Sequence, residues 1–189
     1  MSDLTLDARK IGKGRCPDDD TVLVQRIQDG ERVAFATLVT RHHQRFYRLA
    51  YRQVFDQAEA EDIVQDCFIK FWQNPDKFDL TKGTAFTSWF SRVVINRSRD
   101  SQRRRTHLEL DAEMPAESDD DHEDTKVAVR QALRDLPERQ RSAVNLCFYE
   151  GHTNRDAANI LGIKVKALES LLMRAKTKLQ QILQVDCDD

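Results

Sequence analysis

Apolar residues recur along this chain mainly at spacings of three and four, without a sustained alternation of apolar and polar residues. Spacings of three and four place side chains on one face of an α-helix, whereas a half-buried strand alternates with a period of two. The 189 residues also include only six Gly and four Pro, so strong turn signals are few. The pattern therefore predicts an all-α protein.

One acidic segment interrupts this helical pattern. Residues 106–124 (THLELDAEMPAESDDDHED) hold nine of the 32 acidic residues and no Lys or Arg. High charge with few aromatic residues is typical of a disordered segment, which would span about 25 Å on average and roughly 65 Å at most. We therefore predict two small helical domains joined by a flexible acidic linker. The predicted units are an N-terminal tail (1–17), a first domain (18–105), the linker (106–124), a second domain (125–185) and an acidic tail (186–189).

The formal net charge of -2 conceals an uneven distribution along the chain. Once the linker and the three acidic residues of the tail are set aside, 30 basic residues accompany 20 acidic ones. An excess of ten positive charges on the parts expected to fold is typical of a protein that binds a polyanion such as nucleic acid.

Several classes of protein are disfavoured by the sequence. No apolar run approaches the roughly 18 residues of a membrane span, and the N-terminus lacks a signal-peptide pattern, so we expect a cytoplasmic protein without membrane insertion. The four Cys lack metal-ligand spacing, and neither His42 nor His43 has partner ligands at helical spacing, so we expect no metal. No phosphate loop or catalytic motif is present, so we expect no cofactor, no catalytic residue and no enzymatic activity.

The first domain is predicted to contain four helices, over residues 20–29, 31–54, 58–73 and from 86 onward. Asp20 is the expected N-cap of the first. The fourth helix ends in a basic cluster of five guanidinium groups within nine residues. Such a cluster indicates contact with phosphates, and the alternative is an exposed helix end whose cations complement the helix dipole. The cluster consists of Arg97, Arg99, Arg103, Arg104 and Arg105.

The second domain carries the sharpest local signal, within residues 152–179. Thr153 is placed to cap a short helix, Gly162 to make a turn, and a second helix is predicted to begin near Lys164. This order is typical of a helix-turn-helix, and an ordinary helical hairpin is the alternative. Helical geometry puts the residues suited to phosphate and base contacts on the exposed face of the second helix. They are Lys166, Ser170, Met173, Arg174 and Thr177.

Four segments together resemble a known family in both order and spacing. They are 62–72 (DIVQDCFIKFW), 86–96 (FTSWFSRVVIN) with the Arg cluster after it, 136–141 (LPERQR), and the helix-turn-helix. From about residue 20 to residue 183 the chain resembles the extracytoplasmic-function (ECF, group 4) sigma factors. The resemblance implies a factor that binds core RNA polymerase and directs it to specific promoters, in a stress or envelope response.

The resemblance also implies which residues meet each partner. The first domain would be region 2 and would bind the β′ clamp of the polymerase through Asp62, Gln65, Asp66, Lys70 and Trp72. It would also melt and hold the −10 promoter element with Phe78, Lys82, Asn96, Arg97, Arg99, Arg103, Arg104 and Arg105. The second domain would be region 4, would dock on the β flap and would read the −35 element with Arg155, Lys164, Lys166, Ser170 and Arg174.

Two residues of the second helix depart from the family pattern, because Glu169 and Leu171 stand where many members carry basic residues. Glu169 is suited to accepting from a cytosine amino group, to pairing with Lys166 or Lys176, or to weakening binding near phosphate.

The resemblance also implies an anti-sigma factor as a partner. An alternative function is a sigma-mimicking module that sequesters an anti-sigma factor, and a polymerase-independent repressor is a further one. We also hypothesise that the acidic linker folds against the basic faces and lowers DNA affinity.

Overall fold

The computed structural model describes residues 19–109 and 124–185, with side chains over 19–104 and 128–182. Within these ranges every regular element is helical, so the all-α prediction is confirmed. Both tails, most of the predicted linker, Cys16 and Cys187, and the side chain of Arg105 lie outside the described residues.

The first domain consists of four α-helices. They are α1 (Asp20–Gln28), α2 (Arg32–Val54), α3 (Gln57–Gln73) and α4 (Phe86–Glu109), with short 3-10 turns at Pro75–Lys77 and Leu80–Lys82 between the last two. The predicted N-cap of α1 was wrong by one residue. Asp19 has extended backbone, with φ -63° and ψ 128°, and its carboxylate accepts from the amide of Thr21. Asp20 is the first helical residue.

Helix α4 continues to Glu109, four residues beyond the predicted end of the first domain. The Arg and Gln residues after position 97 have high helix propensity, and no Gly or Pro occurs between Phe86 and Met114. The boundary predicted at residue 105 is the point where the sequence changes from basic to acidic. The helix itself ends four residues later.

The second domain contains the predicted helix-turn-helix and two helices before it. Its elements are α5 (Asp124–Arg134), α6 (Glu138–Val144), a π-helical turn (Asn145–Tyr149), α7 (Asn154–Leu161) and α8 (Val165–Val185). Thr153 caps α7 as predicted, since its Oγ1 accepts from the amide of Asp156 at 3.1 Å. Gly162 has φ +67°, a left-handed conformation that ends α7 and turns the chain into α8.

An aromatic cluster forms the centre of the first domain. The ring of Phe90 on α4 lies 4.6 Å from the rings of both Phe46 on α2 and Phe68 on α3, measured between centroids. All three side chains are buried. The same apolar core continues into the second domain through Leu146 and Leu168, so the two domains pack directly against each other.

Replacement of Phe90 with Ala should lower the free energy of unfolding by about 3 to 5 kcal/mol, because it removes the ring shared by three helices and leaves a cavity. Urea denaturation followed by far-UV circular dichroism measures this change. Val33→Ala is the control, since Val33 is 68% exposed and its truncation should cost less than about 0.5 kcal/mol. Equal effects of the two substitutions would contradict this description of the core.

Candidate nucleic-acid and polymerase interface

The outer face of α3 presents a mixture of charged and apolar side chains. Asp62, Gln65 and Lys70 are exposed, as the sequence predicted for a binding face. Ile69 lies among them and is 53% exposed. Ile69 was not among the residues predicted from the sequence, although its position outside the apolar stripe of α3 indicated that it would be exposed. Trp72 is half-buried, with its ring 5.0 Å from that of Phe35 on α2.

Asp66 connects this face to α4. Its Oδ2 accepts from Lys70 Nζ at 2.8 Å and from Arg97 Nε at 2.6 Å. Burial opposes ionisation of this carboxyl, but the hydrogen bonds from Lys70 and Arg97 outweigh it and lower the pKa of Asp66. Arg97, predicted to meet DNA, is therefore paired with a residue predicted to meet the polymerase.

The loop between α3 and α4 is held from inside the domain. Phe78 is only 4% exposed and packs edge-on against Phe86 and Trp89, with centroids 5.8 and 5.4 Å away. Phe78 was predicted to help hold a base of the −10 element. In this structure its ring is instead buried against the fourth helix. Gln28 of α1 supports the same loop, because its Nε2 donates to the carbonyls of Phe78 at 2.9 Å and Pro75 at 3.3 Å.

An open cavity of about 440 Å³ lies between this loop and α1. Its lining includes Lys82, whose Nζ is 3.2 Å from Asp79 Oδ2, and the amide side chains of Gln25 and Gln28. Nothing in the sequence pointed to the two Gln residues, because they lie some 50 positions before the loop that they meet. Amide groups at the edge of an open cavity can hydrogen-bond a planar polar ligand such as a base.

The basic cluster of α4 divides into paired and unpaired residues. Arg99 forms a hydrogen-bonded ion pair with Glu138 of α6. Asn96, Arg103 and Arg104 are exposed, and neither of these two Arg residues forms an ion pair with any residue that the structure describes. Arg103 and Arg104 are therefore the cations most available to a phosphate backbone.

The helix-turn-helix exposes all the residues that were predicted to contact DNA. Arg155, Lys164, Lys166, Ser170 and Arg174 are all exposed, whereas Leu168 and Ala175 on the opposite face are buried. Glu169 is exposed and makes no ion pair within the described part of the chain, so pairing with Lys166 or Lys176, one of the three roles considered for it, is not observed. Ser170 and Arg174 also line a cavity to which Arg99 of the first domain contributes.

A second cavity of about 360 Å³ lies where the two domains meet. Its lining includes Arg residues from three helices together with apolar residues. Leu171, one of the two residues that depart from the family pattern, is among those apolar residues. The three Arg residues are Arg99, Arg139 and Arg174.

Comparison with known proteins identifies the two domains. Residues 38–107 match the family model of sigma-70 region 2, and residues 126–179 match that of sigma-70 region 4. The RNA polymerase sigma factor NccH of Alcaligenes xylosoxydans xylosoxydans is 31% identical over 181 residues, covering 89% of this chain and 96% of NccH. The ECF RNA polymerase sigma factor SigM of Mycobacterium tuberculosis is 31% identical over 173 residues, covering 90% of this chain and 87% of SigM. This chain belongs to the ECF sigma factors of the sigma-70 family.

Solved sigma factor structures share the same two-domain arrangement. CnrH, in complex with the cytosolic domain of CnrY, gives a TM-score of 0.68 at 30% identity and covers 88% of this chain and 98% of CnrH. RpoE from Bartonella quintana, in complex with the anti-sigma factor NepR, gives 0.69 at 27% identity, with 80% and 98% covered. The predicted architecture of region 2 and region 4 is therefore confirmed, and sigma factors are transcription regulators rather than enzymes.

Among the described helices of this sigma factor, none is long and apolar enough to cross a membrane. The described residues likewise contain no group of three or more His, Cys, Asp or Glu side chains arranged to hold a metal ion. His42 and His43 instead contact carboxylates, with ring nitrogens 2.9 Å from Asp20 and 3.1 Å from Glu61.

Asp66→Asn should weaken region 2 in a pH-dependent way. Because folding lowers the pKa of Asp66 below its ordinary value, its pairs stabilise the folded state fully above that ordinary pKa and are lost as the pH falls through the lowered one. The variant should be less stable at pH 7 by under about 1 kcal/mol, since the pair is partly exposed. Urea denaturation at pH 7 and near pH 3 should show this difference shrinking toward zero. A difference that grows in acid would contradict the pairing.

Proposed function

We propose that this protein is an ECF sigma factor that binds core RNA polymerase and directs it to specific promoters in a stress or envelope response. The observation that carries the proposal is the presence of regions 2 and 4 in order in one chain, each with its own exposed polar surface. It acts in the cytoplasm, where the polymerase and promoter DNA are found. By analogy with RpoE bound to NepR, an anti-sigma factor is a further partner.

Region 2 binds the β′ clamp through the outer face of α3. Asp62 and Gln65 supply exposed polar groups there, and Ile69 supplies an apolar anchor that is 53% exposed. An apolar anchor surrounded by charges is a common arrangement at protein interfaces, where the charges steer association and the anchor contributes affinity. Asp66 and Lys70 pair with each other, so they shape this face, whereas Asp62 makes no ion pair within the described part of the chain.

Region 4 docks on the β flap. Phe148, in the π-helical turn before the helix-turn-helix, is 74% exposed, which is unusual for so large an apolar side chain. Tyr149 beside it is 43% exposed. These neighbouring aromatic side chains supply exposed apolar area for that contact.

The −10 element is held by region 2. Unstacking a base costs a few kcal/mol, and a pocket that hydrogen-bonds the extruded base offsets that cost. The cavity between α1 and the 3-10 turns is suited to this role, with Gln25 and Gln28 at its edge. Asn96 offers a further amide, while Arg103 and Arg104 hold the adjoining phosphates.

The −35 element is read by α8 in the major groove. Lys164 and Lys166, with Arg155 on α7, provide phosphate contacts that fix its register. Ser170 and Arg174 are placed to reach base edges. Glu169 is exposed and has no ion-pair partner among the described residues. Its carboxylate is therefore free to accept a hydrogen bond from a cytosine amino group, which would favour binding.

Run-off transcription tests this function directly. The purified protein, with bacterial core RNA polymerase and a library of bacterial genomic promoters, should produce specific transcription starts that share upstream motifs.

Asp62→Arg should lower the affinity for core polymerase at least tenfold, measured by biolayer interferometry, because it reverses the exposed charge of the α3 face. Asp29→Arg, an equivalent reversal at the end of α1, should leave that affinity unchanged. Absence of polymerase binding by the unaltered protein would instead favour the sigma-mimicking module.

The combined Arg103→Ala and Arg104→Ala variant should bind duplex DNA with a weaker dependence on salt. Removal of one phosphate interaction should reduce the magnitude of the log–log slope by about 0.9, so the pair should reduce it by about 1.8. Fluorescence anisotropy with a labelled duplex over a range of NaCl concentrations gives the slope. Arg32→Ala, which removes an exposed cation at the start of α2, is the matched control and should leave the slope unchanged. Unchanged slopes in both variants would place the phosphate-binding residues elsewhere.

A further inference from the structure

The cavity of about 360 Å³ beside the helix-turn-helix is large enough to hold a small ligand. Cavities of roughly 300 to 1,000 Å³ are typical of small-molecule sites, which combine an apolar lining with a few polar groups. Arg99 of region 2 lines the cavity together with residues of α6, α7 and α8. Two of the lining residues, Ser170 and Arg174, are proposed to read DNA, but Arg139 of α6 has no part in that role.

The Arg residues of this cavity carry more positive charge than the protein neutralises. Arg99 pairs with Glu138. Arg139 and Arg174 are exposed and form neither an ion pair nor a hydrogen bond with any residue that the structure describes. Cations around one cavity repel each other, and an anion bound among them replaces that repulsion with attraction. The charge of the lining therefore favours an anionic ligand.

Arg92 of α4 adds a further guanidinium group near the cavity. Its Nη2 lies 4.0 Å from the position that a Cβ atom would take at Gly162. Gly162 joins Leu161 to Ile163, and both of these residues line the cavity. Arg92 is exposed and likewise has no ion-pair partner among the described residues, so its charge strengthens the positive potential there.

The apolar part of the lining is held in place by the core. Leu161, Ile163 and Leu171 line the cavity and pack against buried residues of the main hydrophobic cluster. Because the core fixes these side chains, the apolar surface exists before any ligand binds. A phosphate ion alone would leave that surface in contact with water. The lining therefore suits a ligand that joins an anionic group to an apolar body.

A nucleotide has both of these parts. Guanidinium groups bind phosphate oxygens through paired hydrogen bonds, and their flat faces stack on aromatic rings. The planar base of a nucleotide has an apolar face that covers side chains such as leucine and isoleucine. The charge of a diphosphate also matches the cations that remain unpaired around this cavity, those of Arg92, Arg139 and Arg174.

We propose that this cavity binds a free nucleoside diphosphate. Its phosphates contact Arg139 and Arg174, and its base lies against Leu161, Ile163 and Leu171. The lining includes no residue of the α3 face, so the nucleotide site is separate from the surface proposed to bind polymerase.

A bound nucleotide would compete with the −35 element, an effect that rests on the proposed function. Ser170 and Arg174 line the cavity and are also the residues proposed to reach base edges. One guanidinium group cannot hold a nucleotide phosphate and a base edge at once, so each ligand weakens the binding of the other. The nucleotide concentration would thereby set the fraction of the protein that is able to read the −35 element.

Fluorescence anisotropy with N-methylanthraniloyl-ADP and N-methylanthraniloyl-GDP tests the site on the free protein. The unaltered protein should bind at least one of the two saturably. Arg139→Ala should weaken that binding roughly tenfold, because it removes a charged hydrogen bond to phosphate. Ala167→Trp should weaken it as strongly, because the indole fills the cavity without a change of charge. Arg48→Ala, which removes an exposed cation of α2, is the matched control and should leave the affinity unchanged.

Circular dichroism checks that each variant keeps its helices. Arg139 is exposed, so its truncation tests the site even when Ala167→Trp loses helicity. Saturable binding that neither folded variant weakens more than the control would overturn the assignment to this cavity. Absence of saturable binding by the unaltered protein would overturn the site altogether.

Unlabelled competitors separate the two parts of the ligand. ADP or GDP should displace the labelled nucleotide at a concentration at least tenfold lower than inorganic pyrophosphate does, because pyrophosphate lacks the base that covers the apolar lining. Equal displacement by pyrophosphate would mean that the cavity binds anions without regard to the base, and would overturn the nucleotide assignment.

Duplex DNA separates this site from the DNA-reading surface. Arg139→Ala should change the affinity for a labelled mixed-sequence duplex less than twofold, because Arg139 is not among the residues proposed to contact DNA. An equal loss of nucleotide and DNA affinity in this variant would show that the nucleotide only occupies the DNA-binding surface, and would overturn the proposal. Cavity-dependent nucleotide binding by a protein that fails to bind core polymerase would retain the site while refuting the proposed function.

Discussion

The end of α2 is the point on which the two-domain arrangement depends. A helix that ends inside a protein leaves carbonyl groups that must find donors, and α2 ends where region 4 supplies Arg134, Arg141 and Asn145. Phe55 completes this junction in a left-handed conformation with φ 57°, and its ring lies under the guanidinium groups of Arg134 and Arg141. The same few residues thus end a helix and join the two regions.

Charge pairing across helices decides which basic residues remain available. The cluster at the end of α4 reads in sequence as one set of equivalent cations. In the structure Arg97 is bound to Asp66 and Arg99 to Glu138, so these two connect α4 to α3 and to region 4. Arg103 and Arg104 remain for phosphate. A polyanion-binding surface is therefore smaller than the basic sequence indicates, because some cations stabilise the protein itself.

The accuracy of the sequence-based predictions depended on how local each signal was. Apolar spacing located α2, α3 and the helix-turn-helix to within a residue or two, because it reflects contacts one turn apart along the same helix. The N-cap of α1 was wrong by one position, since Asp19 and Asp20 are chemically identical and only backbone geometry distinguishes them. The place of Phe78 in the core was not foreseen either, because its neighbours Phe86 and Trp89 come from the next helix.

By itself, the sequence determined the helical class, the order of the two regions and the family, since each depends on residue types at short, regular spacings. Only the tertiary structure decided which polar groups face each other across the molecule. Gln28 meets a loop 50 residues away, Arg97 meets a carboxylate 31 residues away, and Arg45 meets Glu150 across 105 residues. No local pattern encodes such pairs, because they depend on how whole helices pack. The cavity beside α1 and the closed interface between regions 2 and 4 therefore emerge only from the folded chain.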